Sequence, residues 1–203
     1  MSARQRRMVL LWAMAALPLA ACERLGLRTS KPVFHSTDIT GAGFARRLEL
    51  PDVDGRVRTL ADWKGKVLVV FFGYTHCPDV CPATLAELAT IRQSLGGAAD
   101  KLAVVFVTLD PKRDTAPLLK AYSANFGPWV TALRGDAAQT AAAAKEFKVF
   151  YEEAPGKTPG EYTLDHSAAS FVFDTNGKVR LFVPYGGESK NLAADLEQLI
   201  AAA

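Results

Sequence analysis

The sequence predicts an α/β domain whose central mixed sheet is flanked by helices and opened by an N-terminal β-hairpin. Three observations carry this. Residues 66–72 and 102–109 are continuous Val/Leu/Phe-rich runs, the mark of strands buried on both faces. A segment of helical length follows each run, an alternation that implies parallel strands with right-handed crossovers. Two turn signals, Asp54-Gly55 and Asp174-Thr175-Asn176-Gly177, add antiparallel pairs.

At the start of the chain, Arg4, Arg6 and Arg7 precede an apolar stretch over 8–19, in the manner of a secretory signal. The stretch is short of the roughly 18–20 residues a spanning helix needs. Leu19-Ala20-Ala21-Cys22 resembles the lipobox of bacterial lipoproteins, in which cleavage leaves a lipidated cysteine as the new N-terminus. On that reading 1–21 is a lipoprotein-type signal peptide, Cys22 is the lipidation site, and the protein is held at the periplasmic face of a bacterial membrane. An ordinary cleaved signal with an incidental Cys22, or an uncleaved anchor, stays open; each of the three exports the chain. Residues 22–43 have no sustained period and read as a tether, which places the domain at 44–203.

Within the domain, 46–50 and 56–60 flank Asp54-Gly55 as the opening hairpin. The strand 66–72 leads into a helix over 79–95 that stops at Gly96-Gly97, and the strand 102–109 into a helix over 115–126 with Asp114 as its N-cap and Pro117 in its first turn. Then come a short strand at 131–133, an Ala-rich helix over 136–148, an extended piece at 149–152 and an exposed Pro/Gly loop at 153–160. Residues 170–173 and 178–183 form the second hairpin, and a helix over 188–202 closes the chain.

The formal charge of +3 comes from the three leader arginines; the rest of the chain has 21 basic and 21 acidic residues. No basic cluster is present to hold nucleic acid, and that class is excluded. With Cys22 set aside, Cys77 and Cys81 are the only thiols. A staple closing so small a loop would constrain the unfolded chain little, and a chain of this length builds its own core, so the pair is kept for chemistry.

The pair lies in Thr75-His76-Cys77-Pro78-Asp79-Val80-Cys81-Pro82, where the first buried strand gives way to a helix. Pro78 and Pro82 mark a helix start and place the dithiol in the first turn. Residues i and i+4 share a face there, with Cα atoms roughly 6 Å apart, within reach of a shared metal ion or of a disulfide. The free N–H groups and helix dipole of that turn favour thiolate. Sites in open α/β sheets form beyond the carboxyl ends of the strands. Asp110-Pro111-Lys112-Arg113-Asp114 follows the second strand and lies at such an end, although Asp and Pro are also ordinary where a loop enters a helix. Asp165-His166-Ser167 precedes a strand, so position alone does not bring it to the dithiol. A solitary histidine is more often structural than a ligand. Two thiolates and an imidazole would nevertheless suit Cu(I) and still hold Cu(II), whereas zinc would want a fourth ligand. His76 flanks the dithiol and His35 falls in the tether; both rank below His166.

In order and spacing, Phe72-Gly73-Tyr74-Thr75-His76-Cys77-Pro78-Asp79-Val80-Cys81-Pro82, Asp110-Pro111-Lys112-Arg113-Asp114 and Asp165-His166-Ser167 resemble the Sco (SenC) family of cytochrome c oxidase assembly proteins. The likeness runs over roughly 44–203 and departs only at the anchor, since many members have a transmembrane helix. It implies a thioredoxin-like fold, membrane tethering and copper held by Cys77, Cys81 and His166. Asp79, Asp110, Arg113 and Asp165 become supporting or docking candidates. The implied partners are the copper-centre subunit of cytochrome c oxidase, a copper donor and a thiol reductant.

Three activities compete. A metallochaperone would hold one copper and pass it on by ligand exchange. A thiol:disulfide oxidoreductase would use the same dithiol on a partner's disulfide and dispense with His166. A peroxidase of similar fold is hinted at by Trp63-Lys64-Gly65-Lys66 but not by the dithiol spacing. The three-residue spacer, where thioredoxin-type catalysts usually have two, favours the metal.

Overall fold

The structure, a computed structural model, describes residues 32–202 except 157 and 159; the stretch read as a leader and the expected lipidation site Cys22 lie outside these residues. In chain order, β1 is Thr37–Asp38, β2 Glu49–Pro51, β3 Val57–Thr59, β4 Val67–Gly73, α1 Val80–Ser94, β5 Leu102–Thr108 and α2 Ala116–Ala124. There follow β6 Val130–Leu133, α3 Ala137–Glu146, β7 Tyr151–Pro155, β8 Tyr162–His166, β9 Ala169–Phe173, β10 Val179–Pro184 and α4 Ser189–Ala201.

Every residue of β4 and β5 is buried, as their unbroken apolar runs require. They form the parallel centre of a six-stranded sheet ordered β1-β10-β9-β4-β5-β6. β6 is parallel to β5, β9 is antiparallel to β4, and the β9–β10 hairpin turns at Asp174–Gly177, so the sheet is mixed. Phe71, Phe72, Phe106, Phe147, Phe171 and Phe173 are fully buried and fill the core, with Phe147 against Phe72 at 5.0 Å and Phe171 at 5.2 Å.

Four differences from the sequence reading have physical causes. The domain begins before residue 44. Part of the stretch read as tether is edge strand β1 on β10, and the amides of His35 and Ser36 each donate at 2.8 Å to the buried carboxylate of Asp195 on α4. The opening hairpin is shorter than read, because the Asp52 carboxylate accepts the Asp54 and Arg56 amides, both at 3.0 Å, and closes the turn early. Thr115 rather than Asp114 caps α2, accepting the Leu118 amide, because the Asp114 side chain is used elsewhere. Finally, the loop expected at 153–160 begins inside a strand: residues 153–155 complete β7, which pairs antiparallel with β8, with Tyr151 opposite His166. No helix among the described residues is long and apolar enough to cross a membrane.

Candidate metal centre

β4 ends at Gly73, and the chain turns through Tyr74, Thr75 and His76 into Cys77. The first-turn placement holds for Cys81 alone; α1 opens at Val80 and Cys77 lies in the loop before it. A residue preceding proline is pushed out of the helical region, and Cys77 precedes Pro78. Asp79, at the N-cap, makes no side-chain cap bond. The Cys77 sulfur takes that role, accepting the Cys81 amide at 3.4 Å. Cys81 is fully buried, and its sulfur lies against the end of β4 where only a glycine leaves room. A Cβ on Gly73 would stand 2.7 Å from Cys81 Sγ and 2.9 Å from the Phe106 ring.

His166 arrives from the far side, at the end of β8. Its Nδ1 lies 3.1 Å from the Ser167 carbonyl, which can only accept, so Nδ1 carries the proton and Nε2 keeps its lone pair. That Nε2 is 3.7 Å from Cys81 Sγ. The Tyr74 ring meets the imidazole edge-on, with centroids 5.9 Å apart. Sulfur, sulfur and imidazole nitrogen all lie within 4.8 Å of one another, the only such group among the described residues. Two soft sulfurs and an imidazole nitrogen match Cu(I) and still serve Cu(II).

The two thiols share one proton unequally. The hydrogen bond from the Cys81 thiol is the main cause that pulls Cys77 down to about 4; burial opposes it, and the amides of Cys81 and Asp79 assist. Cys81 is driven far up, first by that same bond to the Cys77 sulfur and then by burial. At neutral pH the pair is a thiolate at half-buried Cys77 and a thiol at buried Cys81.

Asp110 and Arg113 do not belong to the donor group; they clamp the hairpin that carries His166. Asp110 accepts from the Arg113 guanidinium and, at 2.9 Å, from the Tyr162 hydroxyl. The guanidinium also donates to the Tyr162 carbonyl at 2.7 Å and lies 3.6 Å from the centre of the Tyr162 ring. Burial, then the bond to Asp110, pushes the Tyr162 phenol up to about 12. Asp79 and Asp165 are exposed: the first reaches the site through its amide, the second sits on β8 opposite Glu152.

Sequence reasoning missed three supports. Tyr74, almost fully buried, accepts the Leu164 amide on its hydroxyl and so ties β8 to the dithiol loop. Asp114, fully buried, accepts the Thr75 amide, the Thr75 hydroxyl and the Thr108 hydroxyl, tying that loop to the end of β5. Tyr162 anchors the hairpin. The apolar-strand-then-Gly-Tyr-Thr pattern was visible, but the partners lie 39 and 90 residues away for Thr75 and Tyr74.

A family model described as SCO1/SenC matches residues 37–201. An SCO2-like protein of Rickettsia felis is 37% identical over 158 residues, covering 76% of this chain and 77% of that one. The mitochondrial SCO2 homologue of Mus musculus is 34% identical over 152 residues, 74% of this chain but 58% of the relative, so the chain spans little more than half that protein's length. Among solved structures, copper-bound ScoI of Bradyrhizobium japonicum is 36% identical, with a TM-score of 0.67, over 75% of this chain and 97% of that one. The α/β, thioredoxin-like fold implied by the resemblance is borne out by this likeness. With a family model matching nearly the whole of the described domain, the chain belongs to the SCO1/SenC family.

Proposed function

We propose that the protein is a copper chaperone: Cys77, Cys81 and His166 hold one copper ion and yield it, by ligand exchange, to the copper-centre subunit of cytochrome c oxidase. The observation that carries this reading is the convergence of two soft sulfurs and an imidazole nitrogen within 4.8 Å, from a loop, a helix and a distant hairpin. Copper is the cargo, and the donor set suits it in either oxidation state. Binding through Cys81 releases its proton, whereas Cys77 is already a thiolate, so loading sheds about one proton per ion near neutral pH. Asp110, Arg113, Tyr74 and Tyr162 set where His166 stands; the exposed carboxylates of Asp79 and Asp165 are docking groups for the recipient or the copper donor. A thiol reductant must keep the pair reduced outside the cytoplasm. Lipidated Cys22 would place the site at the periplasmic face of the membrane, and Cys22→Ser is expected to move the protein from the membrane to the soluble fraction or leave it unprocessed.

A second reading is favoured by one observation: a half-buried thiolate at Cys77 is what thiol:disulfide exchange needs. Anaerobic copper titration of the reduced protein, with and without His166→Ala, separates the two. The chaperone reading expects one tightly held copper that the variant loses; binding indifferent to His166 would hand the function to exchange.

A further inference from the structure

His76 is the one other imidazole beside the dithiol, and like that of His166 its Nδ1 is engaged by an oxygen. Its side chain is about half exposed, with Nδ1 3.1 Å from Thr75 Oγ1 and 3.7 Å from Asp114 Oδ1. The Thr75 hydroxyl gives its only proton to the Asp114 carboxylate, at 2.5 Å, so its oxygen accepts from His76 Nδ1–H. Asp114 is fully buried and held in turn by the Thr75 amide at 3.0 Å and the Thr108 hydroxyl at 2.6 Å. A hydroxyl and a carboxylate behind Nδ1 are the outer support that metal-binding histidines usually have, and they leave the Nε2 lone pair on the outer edge of the ring. His76 is outside the group of three convergent donors.

We propose that His76 is a transient copper ligand, the port through which the ion enters and leaves the Cys77, Cys81, His166 site. This rests on the copper reading above. In loading, a bond from copper to its donor's ligand breaks as one to His76 Nε2 forms; that bond in turn breaks as one to the Cys77 thiolate forms, with no change in oxidation state. Cys81 then binds and gives its proton to solvent, and His166 completes the set. Unloading runs the same steps backwards toward a partner's donors.

A port acts on both directions equally, and that is the test. Stopped-flow exchange of Cu(I) between the reduced full-length protein in detergent and bathocuproine disulfonate would be followed in both directions, beside His76→Ala and His166→Ala. The expected result is that His76→Ala slows loading and unloading by the same factor, roughly tenfold, the equivalent of one weak ligand lost from the transition state. The ratio of the two rates stays put, added imidazole restores the speed, and thermal melting is unchanged. Rates unaltered in His76→Ala while the unsubstituted protein holds its copper would overturn the port alone. A fall in affinity without a matched slowing would also overturn it, making His76 a resident ligand. An unsubstituted protein without stoichiometric copper would overturn the underlying reading instead.

Discussion

The two halves of the donor group are built by different physics. The dithiol half is local: a strand buried along its whole length, a glycine where a sulfur must fit, and a helix start that hands its amide to the other sulfur. The His166 half is remote. It stands on a two-stranded hairpin outside the main sheet, held by side chains of Tyr74, Asp110, Arg113 and Tyr162. The first half has its position fixed by the core, whereas the second has it fixed by a few polar and cation–π contacts. Perturbations should therefore separate the halves, with damage to the core acting through stability and damage to the clamp acting through the metal.

The largest contrast is in ionisation. Iodoacetamide should alkylate Cys77 at a nearly constant rate between pH 5 and 7, where an ordinary thiol's rate rises about tenfold per unit. The rate should fall only as the pH drops through about 4. The sign for stability follows: folded Cys77 sits below its unfolded value, so its contribution is complete above the ordinary thiol value of 9.0 and is lost as pH falls toward about 4. Cys81, raised, reverses the slope above 9.0, and urea melts should show this pair's contribution peaking between the two regimes. A rate that climbs steadily from pH 5 would show that the sulfurs do not share a proton.

Next in size, His166→Ala should cost more than the 10- to 100-fold in copper affinity that outer supports usually command, yet leave the Cys77 alkylation profile in place. Arg113→Ala should fall within that 10- to 100-fold range, with faster amide exchange over 151–166 and little change at the dithiol. Equal effects on both halves would break the comparison. Gly73→Ala tests the other half: overpacking against Cys81 and Phe106 should cost about 1–3 kcal/mol in chemical denaturation. Smallest, Tyr162→Phe removes one hydroxyl from Asp110 and should cost about 1 kcal/mol, read as a shift in the denaturation midpoint.

The same division decides what could be read from the sequence. The buried strands, the four helices and the β9–β10 hairpin were legible because their signals are continuous and local. The Cys77–Cys81 pair was legible because its spacing is itself the chemistry. The β7–β8 hairpin was not: 153–160 has the composition of a loop, and β8 is too short to announce itself against it. Without that hairpin nothing local says that His166 returns to the dithiol, and only resemblance supplied it. The role of Asp114 was misassigned for a related reason, since an aspartate before a helix is an ordinary cap and the two threonines that claim it lie outside the helix.

The unequal burial of the two sulfurs also bears on what would follow if they were oxidised to a disulfide. An incoming thiolate can reach the half-buried Cys77 sulfur, and the group expelled would then be Cys81, the poorer leaving group because its thiol is the weaker acid. Attack at Cys81 would expel the better leaving group, but that residue is fully buried, with its sulfur against Gly73 at the end of β4. Access and leaving-group quality point to opposite atoms. The bridge would open slowly by either route, so oxidation would act as a latch that takes the protein out of service until a dedicated reductant arrives, and rapid catalytic turnover is disfavoured.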